Sequence, residues 1–243
     1  MKILAVETKM LLRDWPAPLI VLALPLGVLL ILGSIPSFSE PNPDLGGQAF
    51  NDTQMPALML VLSLLTVSLT VLPGTLATYR ERGILRRMST TPVHPMRVLG
   101  VQLFINLVLG ALAAVLLIVM AKLVLGSAIP KQLPGFVLVF LLGTAALLSM
   151  GLVIAALAKT AKVAPVIGSV AMTPMMFVSG MWTPREIMPP VLRTISDYSV
   201  GGPLAAALRD TWAGNAPQPL HLVVMAVAVV VFGGLAVRLF RWE

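Results

Sequence analysis

The chain has 243 residues, of which 58% are hydrophobic and only 11% charged, and its mean hydropathy is +0.94. A soluble domain carries about a quarter charged residues, so this composition excludes a water-soluble protein and predicts that lipid covers most of the surface. The absence of cysteine excludes disulfides, thiol catalysis and cysteine-ligated metals, and the net charge of +7 is spread over several short loops, which argues against a nucleic-acid-binding patch.

Six segments are apolar over the length that a membrane-spanning helix requires, about 20 residues. The sequence therefore predicts an all-α membrane protein with one transmembrane domain over residues 1–243. The first span is too long for the apolar core of a cleaved signal peptide, and no small-residue cleavage pattern follows it. The predicted spans are residues 16–35, 55–78, 98–125, 135–158, 163–182 and 220–240.

The basic residues give the orientation of these spans. With both termini inside, 12 of the 17 Lys and Arg residues lie in cytoplasmic segments, where only four acidic residues are found. The external segments hold the other five basic residues and six acidic residues. Because an excess of Lys and Arg in short loops marks the cytoplasmic side, the sequence predicts that both termini are cytoplasmic.

The segment between the second and third spans, Tyr79–Arg97, is dense in charge. Between Gly83 and Pro92 the pattern predicts a short helix with apolar residues on one side and arginines on another. Such a helix under the membrane presents an apolar ridge flanked by charge, which suits the docking of a soluble partner. An ordinary positive-inside loop is the alternative interpretation.

The 37 residues between Trp182 and Leu220 are too apolar for a free loop and too interrupted by proline for a span. They predict two short helices, at about 186–196 and 203–212, partly sunk into the external leaflet. Non-helical backbone at that depth persists only when it is buried in protein or lines water, so the segment is predicted to border a translocation path. A structural cap over the bundle is the alternative.

Several polar and soft side chains in the spans are candidates for that path. Asn106 either contacts substrate or forms an interhelical hydrogen bond, which is the commoner role for such a residue. The methionines of the fifth span either offer an adaptable surface to apolar cargo or fill the core. Pro73, followed by Gly74, predicts a kink in the second span. The candidate path residues are Asn106, Met175, Met176, Phe177, Ser179 and Gly180.

Two motifs resemble those of type 2 ABC transporter permeases. Glu81-x-Gly83-x-Leu85-x-Arg87, followed by Thr90-Thr-Pro-Val93 and a long span, is similar to their cytoplasmic loop. The run Pro174…Phe177-x-Ser179-Gly180…Pro184-x-Glu186-x-Met188-Pro189 is similar to the end of their fifth span and the re-entrant helices that follow. The number and orientation of the spans also agree, so the resemblance covers the whole chain. Gly100-Val-Gln102 departs from the family, which often has Lys or Arg there.

This resemblance implies a transporter of two permeases and two separate ATPase subunits, with substrate leaving between the permeases. The second permease is another copy of this chain or a close paralogue, and the ATPase subunits bind ATP and Mg. The re-entrant segment is marked by Pro184, Glu186 and Pro189. A coupling helix in the first cytoplasmic loop sits in a cleft of the ATPase in that family, which implies a contact formed by Glu81, Arg82, Gly83, Ile84, Leu85, Arg86, Arg87 and Met88.

The residues themselves contain no recognisable motor or catalytic centre. A P-loop requires G-x-x-x-x-G-K-[ST], and Lys159-Thr160, where a Lys precedes Ser or Thr, lacks the glycines. His94 and His221 fall in loops assigned to opposite faces, which argues against a shared metal site. We therefore predict no catalytic, cofactor-binding or metal-binding residues in this chain.

The sequence as a whole predicts a multi-pass exporter subunit of a bacterial-type inner (plasma) membrane. Its substrate would be an apolar or amphipathic compound, such as a drug, antibiotic or lipid, since only 6% of residues are aromatic and sugar channels favour aromatic platforms. A secondary transporter is one alternative, and it would predict embedded acids or internal repeats. A non-transporting membrane scaffold or sensor is the other.

Overall fold

The computed structural model describes residues 7–9, 16–42, 47–84, 96–183 and 185–239. These residues are almost entirely helical. Two short 3-10 turns, Pro36–Phe38 and Arg185–Ile187, join longer elements. The α-helices are α1 (Pro16–Gly33), α2 (Phe50–Glu81), α3 (Met96–Leu125), α4 (Leu133–Leu157), α5 (Val163–Val178), α6 (Pro190–Tyr198), α7 (Gly201–Ala213) and α8 (Pro219–Leu239).

One small sheet departs from the predicted all-α class within the described residues. Strands β1 (Pro41–Asn42) and β2 (Gln48–Ala49) pair antiparallel in the connection between α1 and α2, with Pro41 opposite Ala49. A ladder of two residues per strand is too short to form a layer of its own. The architecture is therefore a helical bundle, as predicted.

Four helices of the described chain, α2, α3, α4 and α8, are long and apolar enough to cross a membrane. They correspond to the second, third, fourth and sixth predicted spans. The predicted spans at 16–35 and 163–182 correspond to α1 and α5, which are shorter apolar helices. The 16 residues of α5 extend about 24 Å, less than the hydrocarbon thickness of about 30 Å.

The end of α5 corrects the predicted boundary at Trp182. The helix stops at Val178 because the next residues form a Schellman motif, in which Gly180 has a φ of 86°. The N–H of Gly180 bonds to the Phe177 carbonyl at 3.1 Å, and the N–H of Met181 bonds to the Met176 carbonyl at 3.2 Å. This pair of bonds satisfies carbonyls that the helix end leaves open.

The helices run alternately up and down. At one end of the bundle, the amide of Asn51 at the start of α2 donates to the carbonyl of Gly33 at the end of α1, at 2.8 Å. At the opposite end, the side chain of Arg80 in α2 reaches the last carbonyls of α4. We name these the Asn51 end and the Arg80 end.

Helix α2 is the centre of the bundle, and 89% of its most apolar window is buried. Its regular helix is interrupted by a π-helical turn at Val67–Val71. Pro73 lies just beyond this turn and has no N–H to offer the carbonyl of Leu69, which is why an α-helical ladder cannot continue through the segment. Where the sequence predicted a kink at Pro73, the structure has a π turn on the N-terminal side of the proline.

The two short helices after α5 are present: α6 begins four residues later than predicted and α7 begins two residues earlier. They differ in environment. Nearly all of α7 is buried, and it packs against α2 and α4. Trp212 anchors it: the indole is 1% exposed, donates to the Ala128 carbonyl at 3.0 Å and meets the ring of Phe136 edge-on. Helix α6 instead leaves Val191, Ile195 and Tyr198 exposed along one side.

Candidate functional site

The predicted coupling loop begins at a left-handed turn. Helix α2 ends at Glu81, the N–H of Arg82 bonds to the Thr78 carbonyl at 3.0 Å, and the N–H of Gly83 bonds to the Arg80 carbonyl at 2.9 Å. Gly83 has a φ of 65°, a conformation that only glycine adopts without strain. The glycine of the sequence motif is therefore the position at which the chain leaves the helix.

The remaining coupling residues divide between described and undescribed chain. Glu81 is the last residue of α2, and Arg82 is its exposed C-cap. Ile84 follows the turn and packs against a cluster of buried residues from α2, α3 and α4. The other four predicted contact residues lie outside the described residues, so their role stays a prediction: Leu85, Arg86, Arg87 and Met88.

Arg80 joins the end of α2 to the end of α4. Its guanidinium donates to the carbonyls of Ala155 and Ala156, in the last turn of α4. The last carbonyls of a helix have no partner within it, and a cation there also interacts favourably with the helix dipole. Arg80 therefore holds together the C-terminal ends of α2 and α4, which run parallel and both end at the Arg80 end.

Glu81 makes a second connection to the same region. Its carboxylate accepts a hydrogen bond from the backbone N–H of Ala161 at 2.9 Å, in the short connection between α4 and α5. A carboxylate that accepts from a backbone N–H forms a charge-assisted bond, which is stronger than a neutral one. Consecutive residues at the exit of α2 thus bind α4 and the α4–α5 connection.

A buried polar cluster includes Tyr79, the residue before Arg80, and sequence reasoning missed it. The carboxylate of Glu7 accepts hydrogen bonds from the hydroxyl of Tyr79 and from the amide of Gln102, the latter at 2.6 Å. The same amide lies 3.2 Å from the Tyr79 oxygen. Tyr79 precedes the coupling loop in α2 and Gln102 follows it in α3. The three positions carry no shared local motif, so only the fold reveals that they meet.

Asn106 forms no interhelical hydrogen bond with any described residue, although such a bond was the commoner role for it. It is 3% exposed, and its amide donates to the carbonyl of Gln102 in its own helix at 2.8 Å. Its carbonyl oxygen has no hydrogen-bond partner among the described residues. The hydrogen bond within α3 satisfies the amide N–H of Asn106, whereas its side-chain carbonyl oxygen stays buried without a partner among the described residues.

The candidate path residues at the end of α5 separate into two groups. Met175 and Met176 pack against the main core, as the core-filling alternative required. Ser179 is buried and donates to the Met176 carbonyl at 2.8 Å, and Gly180 forms the turn described above. Phe177 is 37% exposed and so is the member of the group on the outer surface of this chain.

The predicted re-entrant segment borders a second polar region, at the Asn51 end. Pro184 lies outside the described residues, Glu186 belongs to the 3-10 turn, and Pro189 precedes α6. Arg185 of the same turn forms an ion pair with Asp197 of α6. The segment is thus tied to the short helix that follows it.

A pocket of about 160 Å³ lies beside this segment. Its Arg209 donates to the side-chain oxygen of Gln54 in α2 at 2.9 Å. Burial raises the pKa of Asp210, an effect that the nearby His221, Arg209 and Arg185 partly offset. The lining residues are Gln54, Arg185, Ala206, Arg209, Asp210, Gln218 and His221.

The fold and these sites define the class: an integral membrane protein whose polar groups are concentrated at the two ends of an apolar bundle. Within the described residues, no group of three or more His, Asp or Glu side chains is placed to hold a metal ion. The chain belongs to the ABC-2 type transporter family, whose model matches residues 2–211.

Curated relatives agree with this assignment. The inner membrane transport permease YhhJ of Escherichia coli (strain K12) is 28% identical over 152 residues, and that of Shigella flexneri matches equally. The match covers 60% of this chain and 41% of each relative, so it spans less than half of their length. The family match therefore makes the chain a membrane component of the ABC-2 type transporter family, whose members usually work with a separate ATPase subunit.

Proposed function

We propose that this chain is the membrane half of an ATP-driven exporter. Two permease copies, or one copy and a close paralogue, work with two separate ATPase subunits, which bind the ATP and Mg. Both termini are cytoplasmic, so the Arg80 end faces the ATPase and the Asn51 end faces outward. The segment Glu81–Met88 contacts the ATPase.

The connection of the α2 exit to its neighbours is the observation that carries this proposal. Arg80 and Glu81 bind α4 and the α4–α5 connection directly before the predicted contact segment. A displacement of that segment by an ATPase would therefore act on three helices at once. A loop that only connected two helices would not require its first residues to form hydrogen bonds with α4 and with the α4–α5 connection.

The surface of α5 supports the proposal that substrate passes beside a second permease. Its exposed side carries Val166, Val170 and Phe177 together with Ser169 and Thr173, whose hydroxyls bond back to carbonyls of α5. A side that mixes apolar groups with satisfied hydroxyls suits an apolar or amphipathic cargo such as a drug, antibiotic or lipid. We infer that this side of α5 faces the path.

The test is ATP-driven uptake of an apolar fluorescent dye into inverted membrane vesicles that contain this chain and its ATPase. Glu81→Ala removes the bond to Ala161 and should abolish uptake while the permease still inserts and accumulates. Glu40→Ala, an exposed site in the α1–α2 connection at the opposite end, is the matched control and should leave uptake unchanged.

The same assay separates the alternatives. Uptake that continues when an ionophore collapses the ion gradients supports the ATP-driven exporter, whereas uptake that stops would support a secondary transporter. Normal transport by Glu81→Ala would contradict the coupling role of the α2 exit. A permease that binds no ATPase and moves no dye would favour the scaffold or sensor.

A further inference from the structure

The pocket at the Asn51 end contains two buried acceptors without partners. Oδ2 of Asp210 in α7 and Nδ1 of His221 in α8 form no hydrogen bond to any described residue, and His221 is only 2% exposed. Buried polar atoms normally find a partner, and leaving one unpaired is costly. With the imidazole proton on Nε2, both atoms accept hydrogen bonds, so the complementary ligand is a group with several N–H donors.

Two guanidinium groups stand beside these acceptors. Arg209 is 9% exposed and bound to Gln54, and Arg185 is paired with Asp197. Guanidinium N–H groups match the geometry of phosphate oxygens. The pocket therefore presents acceptors for a cationic amine and donors for an anion within one small volume.

The size of the pocket excludes a drug-sized ligand. Sites for such molecules occupy about 300–1,000 Å³, whereas this pocket has about 160 Å³. A volume near 150 Å³ holds a group of roughly the size of benzene. A phosphate and a short alkylamine fit that limit.

The position of the pocket is at the edge of the apolar surface. The exposed apolar residues of α8 begin at Leu220 and Val223, next to His221. Helix α6, bound to the pocket through Asp197 and Arg185, has the exposed apolar side described above, as a helix lying in the membrane interface does. The pocket therefore lies at the level where lipid head groups meet the protein.

We propose that this pocket binds a phosphoethanolamine group, with the primary amine on Asp210 and His221 and the phosphate on Arg185 and Arg209. The head group of phosphatidylethanolamine in the adjacent leaflet supplies this chemistry, as does a soluble phosphoethanolamine ester. Choline cannot replace the amine because it has no N–H donor, and a glycerol head group has no positive charge. The site is independent of the export proposal, since occupancy requires neither ATPase nor transport.

The experiment is native mass spectrometry of the delipidated full chain in detergent, titrated with phosphatidylethanolamine, phosphatidylcholine or phosphatidylglycerol of identical acyl chains. We expect phosphatidylethanolamine to bind at least about tenfold more tightly than the other two, because the amine makes charge-assisted hydrogen bonds that they lack. Glycerophosphoethanolamine as competitor distinguishes the sources: displacement by it assigns a soluble ester, and its failure to displace assigns the lipid.

Two variants test the assigned roles. Asp210→Asn should reduce the preference for phosphatidylethanolamine over phosphatidylcholine to less than about threefold, and Arg185→Gln should weaken both lipids alike. Asp52→Asn and Arg193→Gln make the same charge changes outside the pocket and should preserve both the affinity and the preference. Equal binding of the three lipids to the unaltered chain would overturn the proposal without any variant. A preference that survives Asp210→Asn would also overturn it.

Discussion

The backbone carbonyl oxygen of Leu69 in α2 lies so close to Gly168 in α5 that a Cβ atom at residue 168 would be 1.7 Å from it. Gly151 of α4 approaches the carbonyl of Ser68 in the same way, with a corresponding distance of 2.0 Å. Both carbonyls belong to the π-helical turn of α2. The two glycines therefore allow α4 and α5 to pack directly against the irregular backbone at the centre of the bundle.

Gly168→Ala should destabilise the chain by about 1–3 kcal/mol, the usual cost of overpacking a core. The clash is with backbone, so no side-chain rotation relieves it. Thermal unfolding of the purified chain in one detergent measures the effect. Gly234→Ala is the matched control, since Gly234 is also helical and a Cβ there meets nothing within 4 Å. It should be neutral or stabilising by up to about 1 kcal/mol, and equal behaviour of the two variants would contradict the packing described here.

The energetic cost of replacing Gly83 should depend only on how well the new residue tolerates the backbone conformation at this position. A Cβ at this position meets nothing within 4 Å, so the cost comes from the φ of 65°. Gly83→Val should cost about 1–2 kcal/mol or more at this turn, whereas Gly83→Asn should cost less because Asn tolerates the left-handed region. We expect ATP-driven transport to follow the order Gly, Asn, Val at equal expression. Better transport by Val than by Asn would exclude the conformational explanation.

The cluster of Glu7, Tyr79 and Gln102 should behave as one energetic unit. Tyr79→Phe removes a donor to the buried carboxylate and should destabilise the chain by about 1–3 kcal/mol. A double-mutant cycle with Glu7→Gln should give a coupling energy of about 0.5–3 kcal/mol, as groups in one hydrogen-bond network do. Tyr198→Phe, at an exposed tyrosine of α6, is the control for loss of a phenol hydroxyl. Strict additivity of the two changes would show that Glu7 and Tyr79 do not interact.

Asp210 should make stability fall as pH rises. Its pKa is raised by burial, so the folded chain holds a proton on this carboxyl at pH values where the unfolded chain, with a pKa of about 3.9, has lost it. Stability then decreases from about pH 4 up through the raised pKa, because the folded state binds more protons over that range.

Asp210→Asn should remove this contribution and raise the melting temperature most at the alkaline end of the range. The measurement is thermal unfolding across pH in detergent free of phosphatidylethanolamine. A profile that is unchanged by Asp210→Asn would assign the slope to another group.

The extent of prediction from sequence differs between the spans and the sites. The apolar segments predicted the approximate bounds of the apolar helices, because the bilayer imposes a length and a composition on any segment that crosses it. Four of the six predicted spans are helices long enough to cross a membrane, and the other two are shorter. The end of α5 was placed at Trp182 because Met181 and Trp182 continue the apolar run. The left-handed turn at Gly180 ends the helix four residues earlier. The apolar composition of the segment gives no indication of that turn.

The residues of a candidate site could be predicted from the sequence only where they all lie in one short segment. The glycine of the coupling loop stands in a local motif, and the structure gives it a local reason, the turn at the end of α2. The meeting of Glu7 with Tyr79 and Gln102, and of Gln54 with Arg209, joins residues that are 23 to 155 positions apart. No pattern along the chain encodes which of several polar residues will be buried together.

The sequence by itself therefore determined the membrane class, the helical architecture and the family resemblance, since hydropathy, charge bias and short motifs are properties of contiguous residues. The tertiary structure alone decided which polar groups face one another. It placed Arg80 and Glu81 on the α4–α5 hairpin, the two glycines on the π turn, and Asp210 beside His221. The reason is physical: a bundle buries its polar groups through packing between distant helices, and the geometry of that packing is set by all of them together.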